Sequence, residues 1–253
     1  MDTFQYETVL STLGNSGVRI IALNRPERLN AMNGQLMVDI ARAFDEANTD
    51  PETRAIIFTG QGRAFCAGDD RKAHRQPENE GEARDAVDAV QRATLAIVFG
   101  GKPVVGAING WAVGGGFELA INCDFPIWAE SARGFFPEVS LNAFVTGAVS
   151  SLLPALVGLN KAREMLFLCE QYDARTLLDL GVAWRVVDDD RLLTEAHSVA
   201  EKLSALPPLA VRAMKRVLNQ CAASDIHTAL RLETEATVAS FLDPETTERL
   251  KNF

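Results

Sequence analysis

The chain has 253 residues, of which 47% are hydrophobic and 23% charged, which is enough apolar material for the core of one large domain. Its formal net charge of -9 argues against nucleic acid as a partner, because duplex binding needs a basic face that neutralises phosphates. None of the four cysteines forms a CxxC pair, and this pattern predicts a reducing, cytoplasmic location without zinc or disulfide staples.

Strand and helix patterns alternate through the first two thirds of the chain. Residues 6–11 and 18–23 are predicted strands that flank the turn residues 14–17, which indicates a hairpin. Strands are also predicted at 54–59, 103–108 and 124–128, and helices at 35–47, 84–98 and 114–121.

Helical patterns alone follow residue 145, at 147–156, 161–168, 174–178, 191–206, 209–221 and 225–241. This order predicts an α/β core over residues 1–195 and a helical region over residues 196–253. The N-terminus lacks the pattern of a signal peptide. The uncharged run 139–160 contains polar residues and Pro154, so we expect buried segments there and no membrane span.

The segment GRAFCAGDD at 62–70 follows a predicted strand. Small side chains at Cys66, Ala67 and Gly68 let a ligand approach the backbone, where a turn could expose an amide N–H. The alternative is a tight turn in which Asp70 caps a helix. Cys66 is either a reactive thiol or an inert one, whereas the other three cysteines are expected to behave as small buried hydrophobes.

The segment NGWAVGGGFE at 109–118 places three glycines between a buried strand and a helix. Helix N-termini carry unpaired N–H groups and the positive end of the helix dipole, and glycine lets a polarised oxygen reach them. Glu118 in the first turn is either a reactive carboxylate or a residue that stabilises the helix dipole. The spacing fits neither GxGxxG nor GK[ST], which disfavours a nucleotide phosphate loop.

Glu138 follows the hydrophobic residues Phe135 and Phe136 and the rigid Pro137. Burial at this position would raise the pKa of its carboxyl group and suit it to proton transfer, whereas the alternative is an exposed turn residue. Together the three segments predict a site in which two backbone N–H groups form an oxyanion hole and two carboxylates share acid and base work.

The chain resembles the crotonase superfamily of enoyl-CoA hydratases and isomerases over nearly its whole length. The matching stretches are LNRPERLNAMN at 23–33, GRAFCAGDD at 62–70, KPVVGAINGWAVGGGFELAINCD at 102–124 and PEVSL at 137–141. The resemblance implies a crotonase-like spiral of ββα units with a helical C-terminal trimerisation region, in a homotrimer or homohexamer. It also implies an acyl-CoA substrate, with coenzyme A as part of the substrate, and no metal or other cofactor.

The same resemblance implies a role for individual residues. The N–H groups of Asp69 and Gly115 would form the oxyanion hole, and Glu118 and Glu138 would be catalytic, with Glu138 delivering a proton to the α-carbon. Ala31, Ala67, Gly68 and Asp70 in the matching stretches would bind the CoA or acyl part. Four basic residues in or beside those stretches either bind the CoA phosphates or are solvated surface charges: Arg25, Arg28, Arg71 and Lys72.

The activity implied is the addition of water to an enoyl-CoA or its removal. The alternatives are another enolate reaction, such as double-bond isomerisation or C–C bond hydrolysis, and acyl-CoA binding without turnover. Asp69 departs from the family pattern, which has a small or apolar residue there, and its carboxylate is expected to face the acyl chain. Phe144 and Val145 replace a glycine-rich run and are expected to reshape the acyl pocket.

Overall fold

Two β-sheets organise the fold, and the computed structural model describes it over residues 3–221 and 225–252. The strands are β1 (Thr3–Gln5), β2 (Val9–Leu13), β3 (Val18–Leu23), β4 (Ala55–Gly60), β5 (Ala64–Cys66), β6 (Val104–Ile108), β7 (Trp111–Val113), β8 (Phe125–Ala129), β9 (Arg133–Phe135), β10 (Tyr172–Asp173) and β11 (Arg185–Val187). The helices are α1 (Gly34–Thr49), α2 (Glu80–Val98), α3 (Gly115–Ile121), α4 (Val149–Val157), α5 (Leu159–Leu168), α6 (Ala174–Asp179), α7 (Leu192–Ser204), α8 (Pro208–Cys221), α9 (Ile226–Leu242) and α10 (Pro244–Asn252).

The larger sheet has seven strands in the order β1-β2-β3-β4-β6-β8-β11. Strands β1 to β3 are antiparallel, and β3 to β11 are parallel. Every residue of β4 and β6 is buried, as their near-continuous apolar sequences predict for parallel strands covered on both faces. The predicted hairpin is confirmed, although its first strand spans Val9–Leu13 and not residues 6–11.

The smaller sheet has the order β10-β9-β7-β5, and β5, β7 and β9 run parallel. The chain adds a long strand to the larger sheet, then a short strand to the smaller sheet, then a helix, as in β4-β5-α2 and β6-β7-α3. This repetition confirms the predicted spiral of ββα units. The short strands were not predicted from the sequence.

The C-terminal helices pack against the core at several places. Helix α7 contacts β3, β4, β6 and β8, whereas α9 packs on α2 and α4. Since α7 spans Leu192–Ser204, the predicted boundary between residues 195 and 196 falls inside this helix. Helix α10 contacts the 3-10 turn Glu138–Leu141. None of the helices in the described residues combines the length and the apolar character of a membrane span.

The four cysteines are all free, and they differ in environment. Cys66 and Cys123 are buried, Cys169 is partly exposed and Cys221 is exposed. The prediction of three buried hydrophobes is therefore wrong for Cys221, which ends α8 at the surface. Burial raises the pKa of the Cys66 thiol to about 12, which keeps it protonated and argues against the reactive interpretation.

Candidate active site

Three parallel strands of the smaller sheet bring the predicted site together. The carboxyl ends of β5, β7 and β9 lie at one edge, as parallel pairing requires, and the chain beyond them carries Asp69, Gly115 and Glu138 respectively. A cavity of about 740 Å³ lies there and is lined by these three residues and by Glu118 of α3.

Two glycines permit the close approach of backbone and side chains at this edge. Gly68 has φ +83°, and a Cβ on it would lie 2.8 Å from the carbonyl oxygen of Val113. Gly114 has φ +51°, and a Cβ there would lie 2.5 Å from Oε1 of Glu138. Since both positions combine a left-handed φ with no room for a side chain, glycine is required at each.

The amides of Asp69 and Gly115 are donors without an acceptor among the residues that the structure describes. Met32 pairs with the residues on either side of Asp69. Its amide donates to the carbonyl oxygen of Gly68 at 2.7 Å, and its carbonyl oxygen accepts from the amide of Asp70 at 2.8 Å. The Asp69 amide therefore points away from Met32. Gly115 begins α3, where amides have no intrahelical acceptor. Within the described ranges neither amide donates to protein, and both residues line the cavity.

Glu118 is 2% exposed and is held by one partner residue. Its Oε1 accepts a hydrogen bond from the Thr146 amide at 2.8 Å, and its Oε2 accepts one from the Thr146 hydroxyl. Burial raises the pKa of Glu118 to about 7 against the opposing effect of these hydrogen bonds. The carboxyl group is thus poised to exchange a proton near neutral pH.

Glu138 opens the 3-10 turn that follows β9. Its Oε2 is buried and has no hydrogen-bond partner among residues 3–221 and 225–252. Burial, and then the negative charge of Glu118, raise the pKa of Glu138 well above its ordinary value. Since two close carboxylates in a buried site resist ionising together, both effects favour the neutral form of Glu138. The residue is partly buried with an enclosed Oε2, which argues against the alternative of an exposed turn residue.

Five predicted binding residues do not line the cavity. The partly buried side chain of Arg25 forms an ion pair with Asp70 at 2.8 Å and donates to the carbonyl oxygen of Ala31, so these three residues connect neighbouring loops outside the cavity lining. Arg28 and Lys72 are exposed. Asp70 caps no helix, since its carboxylate accepts from the Lys72 amide in a turn.

Three other predicted residues, Ala67, Gly68 and Arg71, do line the cavity, as does the side chain of Asp69. The Asp69 carboxylate is 45% exposed, and its Oδ2 lies 3.3 Å from Nδ1 of the buried His74 ring. Asp69 therefore brings an acid to the cavity wall, with the imidazole of His74 beside that acid. The sequence did not indicate His74 as a neighbour of the site.

The remaining wall is mainly apolar and comes from distant parts of the chain. Phe144 lines it as expected, whereas Val145 is buried outside it. Phe241 of α9 and Leu250 of α10 also line it, and neither was predicted. Thr146 was missed as well, because it lies 28 positions from Glu118 and nothing in the sequence links them. Within the described chain no cluster of three or more His, Cys, Asp or Glu residues is placed to hold a metal ion.

Comparisons with known proteins identify the family of the chain. The family model described as enoyl-CoA hydratase/isomerase matches residues 14–253. A crotonyl-CoA hydratase from Syntrophomonas wolfei is 33% identical over 235 residues, which cover 92% of this chain and 90% of the relative. A short-chain-enoyl-CoA hydratase from Clostridium acetobutylicum is 33% identical over 220 residues, covering 87% and 84% respectively.

Solved structures show the same fold. The crystal structure of an enoyl-CoA hydratase/isomerase from Mycobacterium paratuberculosis superimposes with a TM-score of 0.90 at 30% sequence identity, and the match covers 99% of this chain and 100% of that one. The family match spans residues 14–253 and therefore includes the whole candidate site. The chain belongs to the enoyl-CoA hydratase/isomerase family.

Proposed function

We propose that the protein adds water to the double bond of an enoyl-CoA thioester, or removes water in the reverse direction. One observation carries this proposal: two carboxyl groups with raised pKa values, Glu118 and Glu138, line the same cavity as the amides of Asp69 and Gly115, which have no acceptor within the described chain. The hydratase names of relatives at about one-third identity support the same reaction.

The two amides would stabilise the charge that develops during the reaction. When water attacks the β-carbon, electrons move through the double bond to the thioester oxygen and produce an enolate. In the proposed geometry the N–H groups of Asp69 and Gly115 donate to that oxygen, and the N-terminal end of α3 adds a favourable dipole. Removing one such donor typically costs about 3 kcal/mol of transition-state stabilisation.

The carboxyl pair would supply the base and the acid. Ionised Glu118, oriented by Thr146, takes a proton from the attacking water. Protonated Glu138, whose pKa is the more strongly raised of the two, delivers a proton to the α-carbon and collapses the enolate. One water is consumed, and the step leaves Glu118 protonated and Glu138 ionised. The pair returns to its starting state when Glu118 releases a proton to solvent and Glu138 takes one up. The proposed reaction needs neither a metal nor a redox cofactor.

Basic residues beside the cavity would bind the phosphates of coenzyme A. Arg71 lines the cavity, and the exposed Arg28 and Lys72 belong to the adjoining loops. Arg25 is excluded from this role because its guanidinium group is engaged by Asp70. Local positive charge is needed here, since the chain as a whole carries a net charge of -9 and repels an anionic ligand.

We also propose that the protein acts in the cytoplasm as a homotrimer or homohexamer. Large apolar side chains are exposed along α8, including Leu209 at 71%, Met214 at 62% and Leu218 at 54%, and such a surface suits contact with another subunit. Light scattering coupled to size exclusion tests this proposal. We expect a mass of three or six times the 27.5 kDa of the chain, and a monomer at micromolar concentration would contradict it.

Isomerisation is the second candidate, because the matching family includes isomerases and the same amides would stabilise a dienolate. Crotonyl-CoA and a 3-enoyl-CoA, each incubated with the protein and analysed by mass spectrometry, separate the two reactions. Hydration predicts that crotonyl-CoA gains the mass of one water and loses its conjugated thioester absorbance. Conversion of the 3-enoyl-CoA to its conjugated isomer without any gain of water would favour isomerisation. Tight binding with neither product would indicate an acyl-CoA binder.

A further inference from the structure

A third buried carboxylate lies near the site and has no part in the proposed reaction. Glu233 of α9 is 0% exposed. Its Oε2 accepts a hydrogen bond from the Ala148 amide at 2.8 Å. Its Oε1 accepts bonds from the amide and the hydroxyl of Ser150, at 2.8 and 2.6 Å. These amides belong to the start of α4, where helix geometry leaves donors without partners. A side chain on α9 therefore caps the N-terminus of α4.

The segment that Glu233 holds also holds Glu118. Residues 146–150, which we term the 146–150 loop, contact Glu118 through Thr146 and contact Glu233 through Ala148 and Ser150. The loop thus lies between the two carboxylates. Any displacement of it changes the position of the Thr146 donors relative to Glu118.

The backbone of the loop is in an unfavourable conformation that its surroundings must maintain. Gly147 has φ +65° and Ala148 has φ +59°. A left-handed alanine costs about 1 kcal/mol or more, so such a residue persists only where neighbouring contacts fix it. Asn122 donates to the Gly147 carbonyl at 2.8 Å, and the Gly147 amide donates to Gln91 at 3.3 Å. Glu233 adds the hydrogen bonds at Ala148 and Ser150.

Contact between the loop and Glu118 is close enough to transmit small shifts. A Cβ on Gly147 would lie 2.8 Å from Cβ of Glu118 and 3.0 Å from its Oε2. Charge also connects the two carboxylates: burial raises the pKa of Glu233 to about 7 against the hydrogen bonds of Ser150, and the charge of Glu118 adds to that rise.

We propose that Glu233 is a positioning residue for the reaction, which fixes the 146–150 loop so that Thr146 holds Glu118 in the orientation needed to activate water. This inference rests on the proposed hydratase function. It assigns to α9, in the C-terminal helical region, a part in the geometry of the active site in addition to its packing on α2 and α4.

Glu233→Gln tests the proposal. A glutamine presents an NH₂ donor where a carboxylate oxygen accepted, so the amide of Ala148 or that of Ser150 loses its acceptor. We expect kcat for crotonyl-CoA to fall by about 10- to 100-fold while KM stays within about twofold, because misplacing a catalytic group lowers the rate more than ground-state binding. Glu235→Gln is the matched control, since it makes the same change on an exposed part of α9.

A double-mutant cycle with Thr146→Val distinguishes positioning from a general loss of structure. If Glu233 acts through Thr146, the double variant should lose no more kcat than the more damaging single variant. Losses that add as independent effects, or an unchanged kcat in Glu233→Gln, would overturn the proposal. If Glu233→Gln does not fold, Ser150→Ala takes its place in the cycle, because it removes one hydrogen bond to Glu233 and leaves the carboxylate in place. A wild-type protein without hydratase activity would refute the proposed function itself, which the same assay reports separately.

Discussion

The surroundings of Glu118 and Glu138 differ in hydrogen bonding, and this difference separates their roles. Glu118 has two donors from Thr146, whereas Oε2 of Glu138 has no partner in the described chain. The apolar sequence before Glu138 predicts a raised pKa if the carboxyl group is buried, and in the fold burial and the charge of Glu118 raise it. The donors to Glu118 could not be predicted, since only the folded chain brings residue 146 to it.

Activity should depend on pH through this pair. We expect kcat/KM for crotonyl-CoA to rise with pH through about 7, as Glu118 ionises, and to fall at higher pH as Glu138 loses its proton. Because the two groups are coupled, the two limbs report apparent values of the pair. Initial rates in buffers of constant ionic strength measure the profile. A flat profile from pH 5.5 to 8 would contradict this account.

The stability of the fold should also depend on the protonation of Glu138, because burial favours its neutral form. The folded-state pKa of Glu138 lies above its unfolded value, so its contribution to stability is fully present below about pH 4.5 and is lost as pH rises through the folded pKa. The neutral variant Glu138→Gln escapes that loss. We therefore expect its Tm to exceed that of the wild type at pH 8, by about 2–4 °C for each kcal/mol of difference in the free energy of unfolding.

The Tm difference should shrink towards pH 5, where the wild-type carboxyl group is protonated. Calorimetry of both proteins at the two pH values measures it, with the exposed Glu248→Gln as the control for a change in net charge. An equal or lower Tm of Glu138→Gln at pH 8 would mean that Glu138 is not buried as a neutral acid.

The length of a strand or helix, and the periodicity of its sequence, determine whether the sequence predicts it. Strands of five or six residues such as Val18–Leu23 carry enough pattern to be recognised, and so do the long helices. The three-residue strands Ala64–Cys66, Trp111–Val113 and Arg133–Phe135 are too short to show alternation, and the sequence does not predict them. Helix α10 is not predicted either, because polar contacts attach it to the core: Thr246 and Arg249 donate to the carbonyl oxygens of residues 142 and 140.

The packing of α3 on β5 should be highly sensitive to side-chain volume. A Cβ on Gly116 would lie 2.2 Å from the carbonyl oxygen of Cys66, so backbone must move to admit it. We expect Gly116→Ala to lower the free energy of unfolding by about 3 kcal/mol. Gly34→Ala at the start of α1, where a Cβ meets nothing within 4 Å, should be neutral or stabilising by about 0.5 kcal/mol. Urea denaturation compares the two, and equal stabilities would contradict the close packing.

On the scale of the whole molecule, the cavity combines segments from both ends of the chain. The motifs at 62–70, 109–118 and 135–138 predicted its centre, but Phe241 and Leu250 complete its wall from α9 and α10. A signal for Glu233 was present: it falls on the buried stripe of α9 with Ile226 and Leu230. A lone acid on such a stripe indicates a buried partner, but periodicity alone does not identify that partner.

The overall negative charge should make substrate binding depend on local cations. We expect Arg71→Ala to raise KM for crotonyl-CoA about threefold to fivefold with little change in kcat, the scale of one partly exposed charge pair. The effect should diminish as salt is added, because ions screen the attraction. Arg84→Ala on the exposed part of α2 is the control. Equal KM values for both variants at low salt would remove Arg71 from coenzyme A binding.

The most direct test of the central claim is the turnover of crotonyl-CoA by the wild type and by Glu138→Gln, with Glu248→Gln as an exposed control. The proposed mechanism predicts rapid loss of the conjugated thioester absorbance with wild type and control, and a kcat about 10²- to 10⁴-fold lower for Glu138→Gln, the range that general acid–base catalysis contributes. Hydration at the wild-type rate by Glu138→Gln would contradict the mechanism, and no hydration by the wild type would contradict the function.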